Sequence, residues 1–115
     1  MKIGREYTFS AAHYLPLVPG DHKCRAMHGH NYRVEVILSG KLLWNGFVID
    51  FADIDSVVSP ILNRLDHKTL NDVEGLVNPT AENLAIYLRD EISSVLKDLC
   101  VTVRVWENDR SWAES

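Results

Sequence analysis

The segment HGHNYRVEVILSG, residues 28–40, is the clearest β-strand in the sequence. Every second side chain from Tyr32 to Leu38 is apolar, whereas the positions between them are mostly polar. Alternation with a period of two is typical of a strand that buries one face. The same alternation, extended towards the N-terminus, places His28 and His30 on the apolar face.

A strand is also predicted at the N-terminus, where the odd-numbered positions from Ile3 to Ala11 are apolar except for Arg5. His13 continues the apolar face of this strand. Residues 14–27 form a loop with proline, glycine and charged residues, and this loop is too long for a simple hairpin turn. Loops of this kind often carry functional side chains.

Two amphipathic helices are predicted in the second half of the chain. Asp50 is a suitable N-cap for the first helix, whose apolar side chains recur at helical spacing. Asn78-Pro79-Thr80 is a typical helix start, and the second helix is expected to run from Thr80 to Lys97. The expected apolar stripes are Ile54, Val57, Val58, Ile61, Leu62 and Leu65 in the first helix, and Leu84, Leu88, Ile92, Val95 and Leu99 in the second.

Three further segments have strand character. Gly46–Asp50 is predicted to be a short strand, and a longer one carries Val101, Val103 and Val105 on one face, with the residues from Asn108 able to pair as a last strand. The order of these elements predicts a single α+β domain over residues 1–115, with an antiparallel sheet and both helices on one face of the sheet. Apolar side chains on the second face, Ile37 and Trp106, predict burial by another subunit.

The composition excludes several classes of protein. With 46% hydrophobic and 24% charged residues, the chain is globular rather than disordered. A formal net charge of -4 argues against nucleic acid or an anionic membrane as partner and favours a small-molecule ligand. No apolar signal segment or membrane-spanning stretch is visible, so a cytoplasmic location is expected. Cys24 and Cys100 are too few for a disulfide scaffold and are interpreted as reduced thiols.

Three histidines are the candidate metal ligands. His28 and His30 project to the same side of their strand, although alone they could equally be ordinary polar residues near a loop. His13 adds a third imidazole, and three neutral histidines with an open fourth position are typical of catalytic zinc. A purely structural zinc site would need a fourth ligand. His22 is interpreted as a solvated loop residue, because a closed site would exclude substrate.

The two cysteines have different settings. Cys24 stands between Lys23 and Arg25 in the loop that leads to the histidines, where positive charge favours a thiolate that acts as a general base. The alternative for a single cysteine is a small buried hydrophobe. Cys100 borders the valine-rich strand and is interpreted as core filling.

Carboxylates provide the remaining candidates. Glu107 continues the valine-lined face, where a carboxylate needs a hydrogen-bond donor such as adjacent N–H groups of a ligand. The alternatives are an intramolecular partner, Arg104 or Arg110, or simple exposure at the strand end. Asp66 and His67 follow the first helix, and adjacent residues on a regular element point apart, so the sequence leaves open whether they bond to each other.

Several motifs follow one another along the chain: Phe9-Ser10-Ala11-Ala12-His13, Cys24, His28-Gly29-His30-Asn31-Tyr32, Val48-Ile49-Asp50-Phe51, Leu65-Asp66-His67, Asn78-Pro79-Thr80-Ala81-Glu82-Asn83 and Glu107. Together they resemble the 6-pyruvoyltetrahydropterin synthase family. The resemblance implies a T-fold subunit, ββααββ, whose trimers close their sheets into a barrel and pair as a homohexamer with sites at subunit interfaces. It also implies zinc on His13, His28 and His30, proton transfer by Cys24, Asp66 and His67, and pterin binding by Glu107 with Thr80 nearby.

The spacing from Cys24 to His28, with His22-Lys23-Cys24 and Leu70-Asn71-Asp72, resembles the bacterial 6-carboxytetrahydropterin synthases of the queuosine pathway. This likeness implies conversion of 7,8-dihydroneopterin triphosphate to 6-carboxytetrahydropterin, acetaldehyde and triphosphate. One alternative is a 6-pyruvoyltetrahydropterin synthase, which only eliminates triphosphate. The other is a metal- or pterin-binding module without catalysis, which would need neither Cys24 nor His67.

Overall fold

The computed structural model describes residues 1–115 and shows a four-stranded sheet with two helices. Neighbouring strands are antiparallel, and their order in the sheet is their order in the chain. The expected α+β class is confirmed, and the C-terminal residues do pair as a last strand. The elements are β1 (Lys2–His13), β2 (His28–Ser39), α1 (Phe51–Asn63), α2 (Ala81–Ser93), β3 (Cys100–Asn108) and β4 (Ser111–Glu114).

Both helices pack on one face of the sheet and form the core with it. The predicted cap of α1 is present, since Asp50 Oδ1 accepts from Ala52 N–H at 2.8 Å. At the predicted start of α2 the N-cap is Thr80, whose Oγ1 accepts from Asn83 N–H at 3.1 Å. Neither helix has the length and apolar character that a membrane crossing requires. The side chains that join helices to sheet include Phe9, Tyr32, Val34, Val36, Leu38, Ile54, Val58, Leu62, Leu84, Leu88, Ile92, Val103 and Val105.

The predicted strand at Gly46–Asp50 is wrong, because this segment folds back on itself. Leu43 N–H donates to Phe47 O at 2.7 Å, and Gly46 N–H donates to Leu43 O at 3.0 Å. Gly46 has a φ of 88°, a backbone conformation that glycine adopts without steric cost. Val48 is buried without belonging to a strand, which explains the apolar pattern.

The second helix is shorter than predicted and ends at Ser93 rather than Lys97. The backbone tightens after it, since the N–H groups of Val95 and Leu96 both donate to Ile92 O. Val95, which a longer helix was expected to bury, is 59% exposed.

The second face of the sheet is more polar than predicted. Arg33 Cζ lies 4.2 Å from the centroid of the Trp106 ring, and Arg104 Cζ lies 4.3 Å from the centroid of the Trp112 ring. The interpretation of Cys100 as core filling is wrong, because its side chain lies on this face and is exposed.

Candidate metal centre and active site

Strands β1 and β2 bring the three predicted metal ligands together. In their register His13 lies opposite His28, and Ala11 lies opposite His30. One ligand atom from each imidazole lies within 4.8 Å of the others. Gly29 allows the close approach of the strands, because a Cβ atom there would lie only 3.3 Å from Ala11 O.

Backbone carbonyls fix the protonation of two of these imidazoles. His13 Nδ1 donates to Pro79 O at 2.7 Å, and His28 Nδ1 donates to Ala26 O at 2.8 Å. Since a carbonyl can only accept, each neutral ring has its proton on Nδ1 and its lone pair on Nε2. The two Nε2 atoms face each other at 3.0 Å. Two facing lone pairs repel each other unless a cation lies between them, and carbonyl-oriented histidines are typical of metal sites.

His30 completes the set with a buried Nε2 atom that has no hydrogen-bond partner. Such an atom costs free energy until water or an ion satisfies it. Burial lowers the pKa of His13 and of His30, so both rings are neutral near pH 7 and their lone pairs are free to bind a metal. The donor set therefore fits a metal ion.

Cys24 lies in a single turn of 3₁₀ helix, Lys23–Arg25, inside the long loop between β1 and β2. Its N–H donates to His22 Nδ1 at 3.1 Å, and its carbonyl accepts from Leu15 N–H at 2.9 Å. His22 is an exposed loop residue, as predicted, and its ring also caps this turn. Cys24 is half-buried. Hydrogen bonds to both its N–H and its carbonyl hold its backbone in place.

Asp66 and His67 do bond to each other, with 3.0 Å between Asp66 Oδ2 and His67 Nδ1. His67 has a φ of 57°, which interrupts the regular backbone and turns the neighbouring side chains together. Ser10 of β1 holds the pair: its N–H donates to Asp66 Oδ1 at 2.9 Å, and its carbonyl accepts from His67 N–H at 2.6 Å. The Ser10 N–H and then the His67 ring hold the pKa of the Asp66 carboxyl below its usual range.

Glu107 lies at a β-bulge, since the pairing of β3 with β4 shifts between Trp106 and Asn108. Bulges redirect side chains and are frequent beside active sites. Glu107 is half-buried and forms no ion pair within the chain, because Arg104 pairs with Glu114 at 2.8 Å instead. Its carboxylate is therefore available to a ligand.

Thr80 lies next to the metal centre along the chain, because the preceding residue, Pro79, supplies the carbonyl that binds His13. Its Oγ1 atom already accepts the capping hydrogen bond of α2. The Thr80 hydroxyl hydrogen remains available as a donor.

The structure brings the predicted residues together only in part. The three histidines converge, whereas no hydrogen bond within one chain joins Cys24 to His67. Pro79 and Ala26 were missed by sequence reasoning, because a backbone carbonyl leaves no signal in residue type. The motif Asn78-Pro79-Thr80 was the one available hint, and it indicated the start of a helix rather than a metal site.

Comparison with known proteins gives these residues a context. Residues 2–115 match the family described as 6-pyruvoyl tetrahydropterin synthase. A protein of Archaeoglobus fulgidus, with the provisional name 6-carboxy-5,6,7,8-tetrahydropterin synthase, is 44% identical over 115 residues, which cover 99% of this chain and 94% of that protein. The enzyme of that name from Synechocystis sp. is 39% identical over 92 residues, which cover 75% of this chain and 70% of that enzyme. A dihydroneopterin monophosphate aldolase of Pyrococcus furiosus is 33% identical, with 74% and 68% covered.

The fold agrees with the sequence match. The 6-pyruvoyl tetrahydropterin synthase of Caenorhabditis elegans superposes with a TM-score of 0.90 and 31% identity, over 100% of this chain and 94% of that one. The four-stranded antiparallel sheet with two helices is thus the T-fold subunit that the resemblance implied. Because the match covers nearly every residue and the subunit structures coincide, the chain belongs to the 6-pyruvoyl tetrahydropterin synthase family of pterin-handling lyases.

Proposed function

We propose that this chain is a zinc-dependent 6-carboxytetrahydropterin synthase that acts on 7,8-dihydroneopterin triphosphate in queuosine biosynthesis. The main support is the convergence of three imidazoles, two of which have Nε2 lone pairs fixed by backbone carbonyls. The chain that carries them matches the 6-pyruvoyl tetrahydropterin synthase family from residue 2 to residue 115. Two relatives that carry the carboxy-forming name, at 44% and 39% identity, favour this product.

His13, His28 and His30 would hold Zn²⁺ and leave its fourth position open. When bound, the ion would supply a Lewis acid for the side-chain oxygens of the substrate. Glu107 would accept hydrogen bonds from adjacent N–H groups of the pterin ring, which satisfies a carboxylate that has no partner in the chain. Thr80 would donate its hydroxyl hydrogen on the same side of the site.

Proton transfer would be shared by Cys24 and His67. The Cys24 thiolate would remove the proton from the substrate carbon next to the side-chain oxygen. Asp66 accepts from His67 Nδ1, so His67 Nε2 is the atom that would deliver protons as triphosphate leaves and the side chain is cleaved.

The active form would be a homohexamer, a dimer of trimers, with each site at a subunit interface. Two properties of the single chain support this assembly. His67 is 81% exposed in its side chain, which is unusual for a group that must work away from bulk water. Cys24 and His67 lie on separate loops without a mutual hydrogen bond, so a neighbouring chain can bring one to the other.

The names of the relatives indicate two other reactions that this fold can carry out. A 6-pyruvoyl tetrahydropterin synthase shares the fold, and an aldolase named for dihydroneopterin monophosphate shares a third of the aligned residues. Incubation of purified protein with dihydroneopterin triphosphate, followed by mass spectrometry, separates the three. We expect a 6-carboxytetrahydropterin with release of triphosphate and acetaldehyde. Pyruvoyltetrahydropterin, or cleavage with the phosphate retained, would contradict the proposed reaction.

A further inference from the structure

Pro79 lies immediately before the N-cap of α2 and supplies the carbonyl that orients His13, and we propose that Asn83 is the residue that holds this carbonyl in place. Asn83 is then a positioning residue that acts on His13 through Pro79. This role depends on the metal centre proposed above.

Asn83 closes the turn by two hydrogen bonds. Its Nδ2 donates to Asn78 O at 2.8 Å, and its backbone N–H donates to Thr80 Oγ1 at 3.1 Å. Asn78 O also accepts from Thr80 N–H at 2.9 Å, so the peptide groups on both sides of Pro79 are fixed. The proline ring removes the remaining freedom in φ. The direction of the Pro79 carbonyl is therefore set by the bond from Thr80 N–H to Asn78 O, and the Asn83 side chain holds that Asn78 oxygen in place.

His13 needs this carbonyl because a competing partner lies beside the same nitrogen. The Tyr32 hydroxyl is 3.3 Å from His13 Nδ1, and both side chains are 1% exposed. A hydroxyl can donate as well as accept. If the Pro79 carbonyl turned away, Tyr32 could donate to Nδ1, and the ring proton would move to Nε2. A protonated Nε2 cannot bind a metal, so the turn selects the tautomer that binds one.

The corresponding position of the other helix shows that the contact is specific. Asp53 is the third residue after the N-cap Asp50 in α1, as Asn83 is the third residue after Thr80 in α2. The Asp53 side chain makes no hydrogen bond to the residues that precede its helix. Asp53→Ala is therefore a matched control for the loss of a polar side chain at this helix position.

The decisive variant is Asn83→Asp. A carboxylate in the first turn favours the helix through its dipole, but it cannot donate to Asn78 O. Zinc affinity is measured by competition with a chelator, and the His13 tautomer is measured by ¹⁵N NMR in the metal-free protein. We expect Asn83→Asp and Asn83→Ala to weaken zinc binding about tenfold and to populate the Nε2–H tautomer of His13, while Asp53→Ala stays within about twofold of wild type.

Wild-type affinity and a single Nδ1–H tautomer in Asn83→Asp would overturn the role and leave Asn83 as a helix cap only. An added negative charge could only strengthen cation binding, so it cannot imitate the expected loss. If Asn83→Ala fails to fold, Asn83→Asp still decides the question. A wild-type protein that binds no zinc would refute the proposed metal centre, whereas the tautomer of the metal-free protein would still show whether Asn83 directs Pro79.

Discussion

The proposed metal centre and the loops proposed to transfer protons are built in opposite ways within the same chain. His13 is 1% exposed and lies in a strand paired along twelve residues, whereas His67 is 81% exposed in its side chain and lies in a turn. Every ligand of the metal centre comes from one strand pair. The proposed proton carriers come from two separate segments. Cys24 is held by a hydrogen bond to His22 within its own loop, and the Asp66-His67 turn is held by Ser10 of β1.

This difference is the one expected if the proposed metal centre belongs to a single chain and the proposed proton carriers meet across chains of the proposed homohexamer. Paired strands fix side-chain positions through register, so a metal site built on them is complete in one subunit. Loops fix a residue less tightly and leave it open to a neighbour. Changes at the metal centre should therefore act within one chain, and changes in the loops should act across chains.

The largest effect is expected from His30→Ala, which removes the ligand whose Nε2 is buried without a partner. Metal content should fall from about one ion per chain to nearly none, because two histidines give only a weak site for zinc. The fold should remain, since the metal-free protein loses an unsatisfied buried atom rather than a hydrogen bond. Elemental analysis and circular dichroism check both points, with His67→Ala as the variant that should keep its metal. Full metal content in His30→Ala would mean that the ion binds elsewhere.

Complementation tests whether the loops act across chains. Cys24→Ala and His67→Ala should each lower turnover by about 10² to 10⁴, the usual contribution of a proton carrier. Unfolded together and refolded as mixed oligomers in equal amounts, they should recover about a quarter of the sites, because each intact site takes Cys24 from one chain and His67 from another. Mixed oligomers that form, as shown by mass spectrometry, and stay as inactive as the parents would place both residues in one subunit.

Glu107→Gln separates substrate binding from metal binding. Loss of the charge should weaken pterin binding by about 10- to 100-fold, the range expected for one or two hydrogen bonds to a charged acceptor. Metal content should not change, since the ligands lie on other strands. Fluorescence titration with a pterin measures the affinity, and Glu114→Gln on β4 is the control. Equal affinity in Glu107→Gln and wild type would make Glu107 an ordinary carboxylate at a strand end.

The smallest effect is expected from Asp66→Asn on acid stability. Hydrogen bonds from Ser10 and His67 lower the pKa of Asp66 in the folded protein below its unfolded value of about 3.8. Its contribution to stability is therefore present above that value and lost as pH falls through the folded pKa. Melting curves of Asp66→Asn should lie slightly below wild type at pH 6 and meet it near pH 2. A constant difference across this range would mean that ionisation of Asp66 does not matter.

Much of the sheet and the metal site could be predicted, because both depend on periodicity. Alternation placed His13, His28 and His30 on apolar faces, and antiparallel pairing then left them side by side. The Asp50 cap and the start of α2 at Asn78-Pro79-Thr80 were also predicted, since helix starts are a local property of the sequence.

The failures concern features that depend on tertiary contacts. Gly46–Asp50 has strand-like residues but no neighbouring strand to pair with, and Cys100 has the parity of the outer face rather than of the core. The bond between Asp66 and His67 depends on a positive φ that a histidine rarely adopts and that Ser10 stabilises from another element. The Pro79 carbonyl reaches His13 over 66 positions of sequence, which no local pattern encodes.

That separation in sequence has a consequence for the order of folding. All three imidazoles belong to the hairpin of β1 and β2, residues 2–39, which emerges from the ribosome ahead of both helices. Closing this hairpin costs less chain entropy than docking α2 onto it. If the proposed metal centre forms, a nascent chain can therefore bind the ion before α2 docks, while His13 still exchanges between tautomers. Docking of α2 would then bring the Pro79 carbonyl to His13 and slow the dissociation of an ion that is already bound.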